Sequence, residues 1–235
     1  MMLSIPIIYE DNHLLVVEKP VNILSQADHT GDQDMLTLLK QDLKQRYNKP
    51  GNVYLGLVHR LDRPVGGLMV FAKTSKAAGR LSKQIAEGNF EKIYLAVVRG
   101  VPKQWEGQLV HYLKKNPKLN KVSASDHRLS GSKKAVLNYQ VLASRDGCSL
   151  VQIDLLTGRP HQIRVQFAAV GHPLVGDQKY GVPTKAHVQI GLWAYQIGFN
   201  HPTLKEWLVF NQPPPFKRYP WNLFAGILNN GGVIK

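Results

Sequence analysis

Short segments dense in β-branched and aromatic residues recur along this chain. They are LLVVEKP (14–20), GLMVFA (67–72), KIYLAVVRG (92–100), AVLNYQVLA (135–143), SLVQIDLLT (149–157), VQIGLWAYQIGF (188–199) and EWLVF (206–210). Their length and composition predict strands. IPIIYEDNH adds a strand before a turn at Asp11–His13, and NVYLGLVH predicts another that runs into a loop at Arg60–Gly67. Helical spacing is confined to three places. Asp34 can cap a helix over 35–47, with Leu36, Leu39, Leu43 and Tyr47 on one face. Ser75 can cap a second, with Ala78, Leu81 and Ile85 inward and Gly88 as its stop. Pro160 suits the first turn of a third over about 160–170, closed by Gly171. Strands that cluster, rather than alternate with helices, predict an α+β fold with a mainly antiparallel or mixed sheet and a few flanking helices. No repeat or linker divides the chain: NQPPPF (211–216) is short enough to be a surface turn. One domain over 1–235 is therefore expected.

Charge constrains the partner. Lysine and arginine exceed aspartate and glutamate by 14, and the excess is uneven. Residues 1–36 are net −5, with Lys19 alone against Glu10, Asp11, Glu18, Asp28, Asp32 and Asp34. Residues 103–134 are net +6, carrying Lys103, Lys114, Lys115, Lys118, Lys121, Arg128, Lys133 and Lys134 against Glu106 and Asp126. Asn, Ser, Pro and Gly interleave these bases, so the stretch predicts a loop or hairpin excursion rather than a helix. Such a run is either a solvated edge or an arm for phosphates. The global charge favours the arm and a polyanionic partner.

Other classes fall away. A lone cysteine, Cys148, excludes an internal disulfide framework and a multi-thiolate zinc site. The nine histidines show no metal-ligand spacing, so no metal is expected. The N-terminus lacks a basic, then apolar, leader, and no apolar run reaches membrane-helix length. A cytoplasmic protein without a membrane partner is expected, as a basic monomer. GHPLVGD lacks the terminal Gly-Lys-Ser/Thr of a phosphate loop. HRLD differs from the kinase H-R-D by the intervening Leu61, and no Gly-rich loop precedes it.

Two segments hold more polar chemistry than a core needs. In VHRLDRPVGGLMVFAKT (58–74), His59, Arg60, Asp62 and Arg63 are crowded between apolar strands. An aspartate among cations stays ionised and can act as a nucleophile. In LTGRPHQIRVQFAAVGHPLVGDQKYG (156–181), a turn with Arg159 feeds a helix carrying His161, Gln162 and Arg164.

These segments, with IIYEDNHLLVVEKP and KIYLAVVRG, resemble in order and spacing the motifs of RluA-type pseudouridine synthases, over about residues 5–210. The resemblance implies a pseudouridine synthase-like domain with a central active-site cleft. It implies isomerisation of uridine in structured ribosomal or transfer RNA, without a cofactor. Asp62 matches the family's nucleophile. Tyr94 matches the tyrosine that stacks on the target uracil and takes part in proton transfer from C5. Arg164 matches the cation paired with the aspartate, and Arg60 the motif arginine near the flipped base. His59 and Gln162 are expected to support the motifs, while Arg63, Arg159, His161, Lys114, Lys115 and Lys118 are candidate RNA contacts. Val65-Gly66 stand where the family has Thr-Ser, removing hydroxyls that could brace the loop, and Trp193 stands where a histidine is common. Too few residues precede the first motif for a separate RNA-binding domain, so recognition is expected from this domain. A non-catalytic RNA-binding module with the same fold is the alternative, and the presence of Asp62, Tyr94 and Arg164 together argues against it.

Overall fold

The computed structural model describes residues 5–182 and 188–229, with eleven strands and four α-helices among them, an α+β fold. The chain forms two compact units: Met1–Glu91 with Ala194–Gln212, and Lys92–Trp193 with Pro213–Lys235. The chain crosses between them three times: the crossings between 91 and 92 and between 193 and 194 fall inside strands, and the third, between 212 and 213, falls in the short NQPPPF segment. That is why the sequence, searched for linkers, suggests a single domain.

In the first unit β1 (Ile7–Glu10), β2 (Leu14–Lys19), β4 (Gly66–Ala72) and β10 (Leu192–Asn200) stand in that order. β3 (Gly56–Leu57) pairs with β4, and β11 (Trp207–Asn211) with β10. The β1/β2, β2/β4 and β10/β11 ladders are antiparallel. Asp11 makes the first hairpin turn by accepting the His13 and Leu14 N–H groups. NVYLGLVH, expected as a full strand, yields only the two residues of β3. β4 is buried at every position, so it reads as a continuous apolar run rather than an alternation. On one of its faces Leu68, Val70 and Ala72 pack with Leu14, Val16, Leu81, Phe90 and Phe199.

Helix α1 (Met35–Arg46) starts where expected, because the Asp34 side chain accepts the Thr37 N–H. Its buried face is Met35, Leu39 and Leu43; Leu36 lies half-buried and Tyr47 is exposed, correcting the expected stripe at both ends. Helix α2 (Ser75–Glu87) is capped one residue earlier than expected. Thr74 is extended and accepts the Ala77 N–H, while Ser75 is already helical. Gly88 ends it in the left-handed conformation at φ 78°.

In the second unit β5 (Phe90–Arg99), β9 (Cys148–Asp154), β8 (Lys133–Arg145), β6 (Glu106–Asn116) and β7 (Lys121–Ser125) form antiparallel ladders in that order. The basic excursion is thus a β6–β7 hairpin that leads into β8. Helix α3 (Gln162–Ala169) packs on β6 and β7. It begins two residues later than Pro160, because His161 takes the left-handed conformation at φ 53° and serves as N-cap. A 3-10 turn (Trp221–Phe224) and α4 (Ala225–Asn229) complete the unit. No helix among the described residues is long and apolar enough to cross a membrane.

Candidate active site

In the first unit, Asp62 lies half-buried in the loop before β4, and its two neighbours are pinned. The buried Ser25 hydroxyl donates to the Leu61 carbonyl at 2.8 Å and accepts the Leu61 N–H at 3.1 Å. The Arg63 carbonyl accepts the Asn22 N–H at 2.8 Å and the Lys19 amino group at 3.1 Å. Val65 N–H closes the turn on the Asp62 carbonyl at 3.0 Å. Gly67 follows at φ +114°, where an added Cβ would lie 2.3 Å from the Ala194 carbonyl oxygen, so only glycine fits. Ser25 supplies from a distant loop a hydroxyl brace of the kind that Val65 and Gly66 lack.

Lys19 is wholly buried, and its amino group also donates to the Pro20 carbonyl at 2.9 Å. Burial pulls its pKa down to about 7, against the opposing attraction of the Asp62 charge. His59 accepts the Val70 N–H on Nε2 at 3.0 Å and lies against Phe90, ring centroids 5.6 Å apart. Arg60 is exposed. Arg63 pairs with Asp32 at 2.7 Å and donates from Nε to the Asn22 carbonyl at 3.2 Å.

In the second unit, Tyr94 is buried in β5 opposite Ile153, which in turn stands opposite Tyr139. Cross-strand partners share a face. Tyr139 meets Phe167 of α3 edge-on at 5.8 Å, so Tyr94 belongs to the face that α3 covers. Arg164, on α3, is 5% exposed and forks onto Asp177, which is 2% exposed. Nε reaches Oδ2 and Nη2 reaches Oδ1, each at 2.8 Å. Burial alone would raise the Asp177 carboxyl. The Arg164 fork and the N–H groups of Lys179 and Tyr180 outweigh it and hold it below the usual carboxylate range.

Gln162 is a brace. Its Oε1 accepts the Thr157 hydroxyl at 2.8 Å and the Arg159 N–H at 3.0 Å, and its Nε2 donates to the Val136 carbonyl at 3.1 Å. Arg159 Nε donates to the Lys134 carbonyl at 3.1 Å. His161 Nδ1 lies 2.7 Å from the Tyr180 hydroxyl. Lys114, Lys115 and Lys118 are exposed on the hairpin, the first two facing Ser123 and Val122 across the ladder. Among the described residues no group of three or more metal-ligating side chains clusters.

Lys19, Ser25, Asp177 and Tyr180 do not stand out as site residues in the sequence. Lys19 carries one signal, a cation closing the apolar run LLVVEK, and Asp177 another, an aspartate positioned to accept the N–H groups that follow it in GDQKYG. Tyr180 carries only its place in that same segment, and Ser25 carries none.

Comparison with known proteins gives one consistent result. The model of the family described as RNA pseudouridylate synthase matches residues 13–169. An uncharacterized RNA pseudouridine synthase of Aquifex aeolicus is 36% identical over 234 residues, covering 93% of this chain and 73% of that protein. The ribosomal large subunit pseudouridine synthase D of Zymomonas mobilis is 32% identical over 226 residues, covering 91% and 70%. Among solved structures, human RNA Pseudouridylate Synthase Domain Containing 4 superposes with a TM-score of 0.77 at 23% identity, covering 95% of this chain and 93% of that one.

Proposed function

The chain belongs to the RNA pseudouridylate synthase family, of the RluA type, whose members are isomerases acting on RNA; from that premise we propose that it converts specific uridines of structured ribosomal or transfer RNA to pseudouridine, with Asp62 as nucleophile and without a cofactor. The reaction breaks the N1–C1′ bond, turns the uracil, and joins C5 to C1′. C5 loses a proton and N1 gains one, so atoms and electrons balance with no added group. A carboxylate that adds at C1′ or at C6 carries the substrate through this exchange.

The observation that supports Asp62 in this role is the treatment of its neighbours. Ser25 holds both main-chain groups of Leu61, and Lys19 with Asn22 holds the carbonyl of Arg63. Preorganisation of this kind suits a side chain that must be aimed. Tyr94 offers its ring to the extruded base, a stacking contact worth about 1–3 kcal/mol, and takes part in the proton transfer from C5. By its match to the family's motif, Arg164 is the cation assigned to pair with the nucleophile. Arg60, exposed two residues before Asp62, enters the space the base leaves.

The lysines of the hairpin hold phosphates, and the shape of the folded RNA selects the site. Net charge of +14 disfavours self-association, so the enzyme acts as a monomer, in the cytoplasm with its RNA. Mapping pseudouridines in total RNA from cells with and without the gene tests this function. Loss of pseudouridine at defined ribosomal or transfer RNA positions is the expected result, and an unchanged map in both RNA classes would overturn it.

A further inference from the structure

Residues 177–181 form one tight turn. Asp177 Oδ1 accepts the Lys179 N–H at 2.9 Å and the Tyr180 N–H at 3.1 Å, and the Asp177 carbonyl accepts the Gly181 N–H at 2.8 Å. One side of this turn holds Arg164, through the Asp177 fork and through the Tyr180 ring, whose centroid lies 5.3 Å from the guanidinium carbon. The other side holds the basic hairpin. The Tyr180 hydroxyl accepts the Val122 N–H at 2.8 Å, and the Lys179 amino group donates to the Asn120 carbonyl at 2.8 Å. Val122 stands directly opposite Lys115, on the strand that ends this unit's sheet order. Tyr180 also packs into the cluster of Leu113, Val122, Ala135 and Val165, the last on α3 itself.

From this geometry we infer that Tyr180 is a positioning residue that couples engagement of the β6–β7 hairpin to the Arg164 guanidinium. The inference rests on the function proposed above and on the hairpin lysines as phosphate contacts. Phosphates drawn to Lys114, Lys115 and Lys118 load the hairpin. Its edge N–H at Val122 is tied to a rigid phenol, and that phenol's ring lies against the buried cation. A residue serving only to cover an open strand edge needs the hydroxyl bond alone. Tyr180 adds the ring against Arg164, and its own N–H steadies the carboxylate that forks Arg164.

Tyr180→Phe separates the two roles, keeping the ring and its packing while removing the bonds to Val122 and His161. The test uses enzyme in excess over total RNA from cells that lack the gene, and follows pseudouridine formation in a single turnover. Wild type, Tyr180→Phe, Lys114→Gln with Lys115→Gln, and the combination are compared for plateau rate and half-saturating concentration. The hairpin variant is expected to raise the half-saturating concentration and also lower the plateau rate about fivefold. Tyr180→Phe should lower the plateau rate by a similar factor with little change in half-saturation, and the combination should lose no more plateau rate than either alone. A wild-type plateau rate in Tyr180→Phe, or losses that multiply in the combination, would overturn the coupling. If the thermal midpoint of Tyr180→Phe drops sharply, Lys179→Met replaces it. Cutting the second tie, to Asn120, should give the same plateau loss, and a wild-type plateau there would equally overturn the inference. Wild-type enzyme that forms no pseudouridine in any RNA overturns the proposed function, and the coupling with it.

Discussion

Ser25 grips Leu61 twice, its hydroxyl donating to the carbonyl at 2.8 Å and accepting the N–H at 3.1 Å. The pair fixes the main chain immediately before Asp62 from a residue 36 positions away. Ser25→Ala leaves two buried main-chain groups without this partner, at a cost of about 1–3 kcal/mol. Urea unfolding should show that loss. Single-turnover pseudouridine formation should slow, while RNA affinity holds. A variant destabilised but fully active would separate the brace from the chemistry.

Lys19 makes stability depend on pH. In the unfolded chain its amino group binds a proton below about pH 10, as a free lysine does. In the folded protein it does so only below about 7. Between those limits the unfolded state holds the extra proton, so this group makes the protein more stable as pH rises. Denaturation midpoints of wild type should therefore climb relative to those of Lys19→Met from neutral pH upward. Parallel profiles would show that the Lys19 amino group is solvated in the folded protein.

The buried fork of Arg164 on Asp177 predicts a large single-site effect. Asp177→Asn removes the carboxylate's charge and leaves the guanidinium inside without it; breaking such a pair typically costs about 3–5 kcal/mol. Because the folded carboxyl titrates below its unfolded value, the pair's contribution is present above about pH 4 and fades as pH falls through the lower folded value. Thermal midpoints of wild type and variant should converge in acid, and a constant gap would contradict the assignment.

For the hairpin, replacing Lys114, Lys115 and Lys118 by glutamine should weaken RNA binding and flatten its salt dependence. Each phosphate that is no longer neutralised reduces the log–log slope by about 0.7–0.9. Filter binding across a salt series reads this directly, and an unchanged slope would return the hairpin to a solvated edge.

Much of this architecture is legible in local sequence. The apolar runs became β2, β4, β5 and β8–β11, and Asp34 and Gly88 bound their helices as capping chemistry requires. Thr74 and Ser75 are both competent caps, and composition does not choose between neighbours. The division into two units is hidden because two of the three crossings lie inside β5 and β10 and the third in the short NQPPPF segment. Asp62, Tyr94 and Arg164 are identified through family resemblance. The groups that hold the site are another matter. Lys19, Ser25 and Tyr180 act on main-chain atoms 44, 36 and 58 residues away, and even the motif segments that hold Lys19 and Tyr180 do not name those partners.

Asp62→Asn tests the account most directly, because it keeps the size of the side chain and removes only the nucleophilic charge. Single-turnover assays on RNA from cells lacking the gene should show no pseudouridine formed, with RNA affinity and the unfolding midpoint close to wild type. Turnover retained by Asp62→Asn would contradict the central claim.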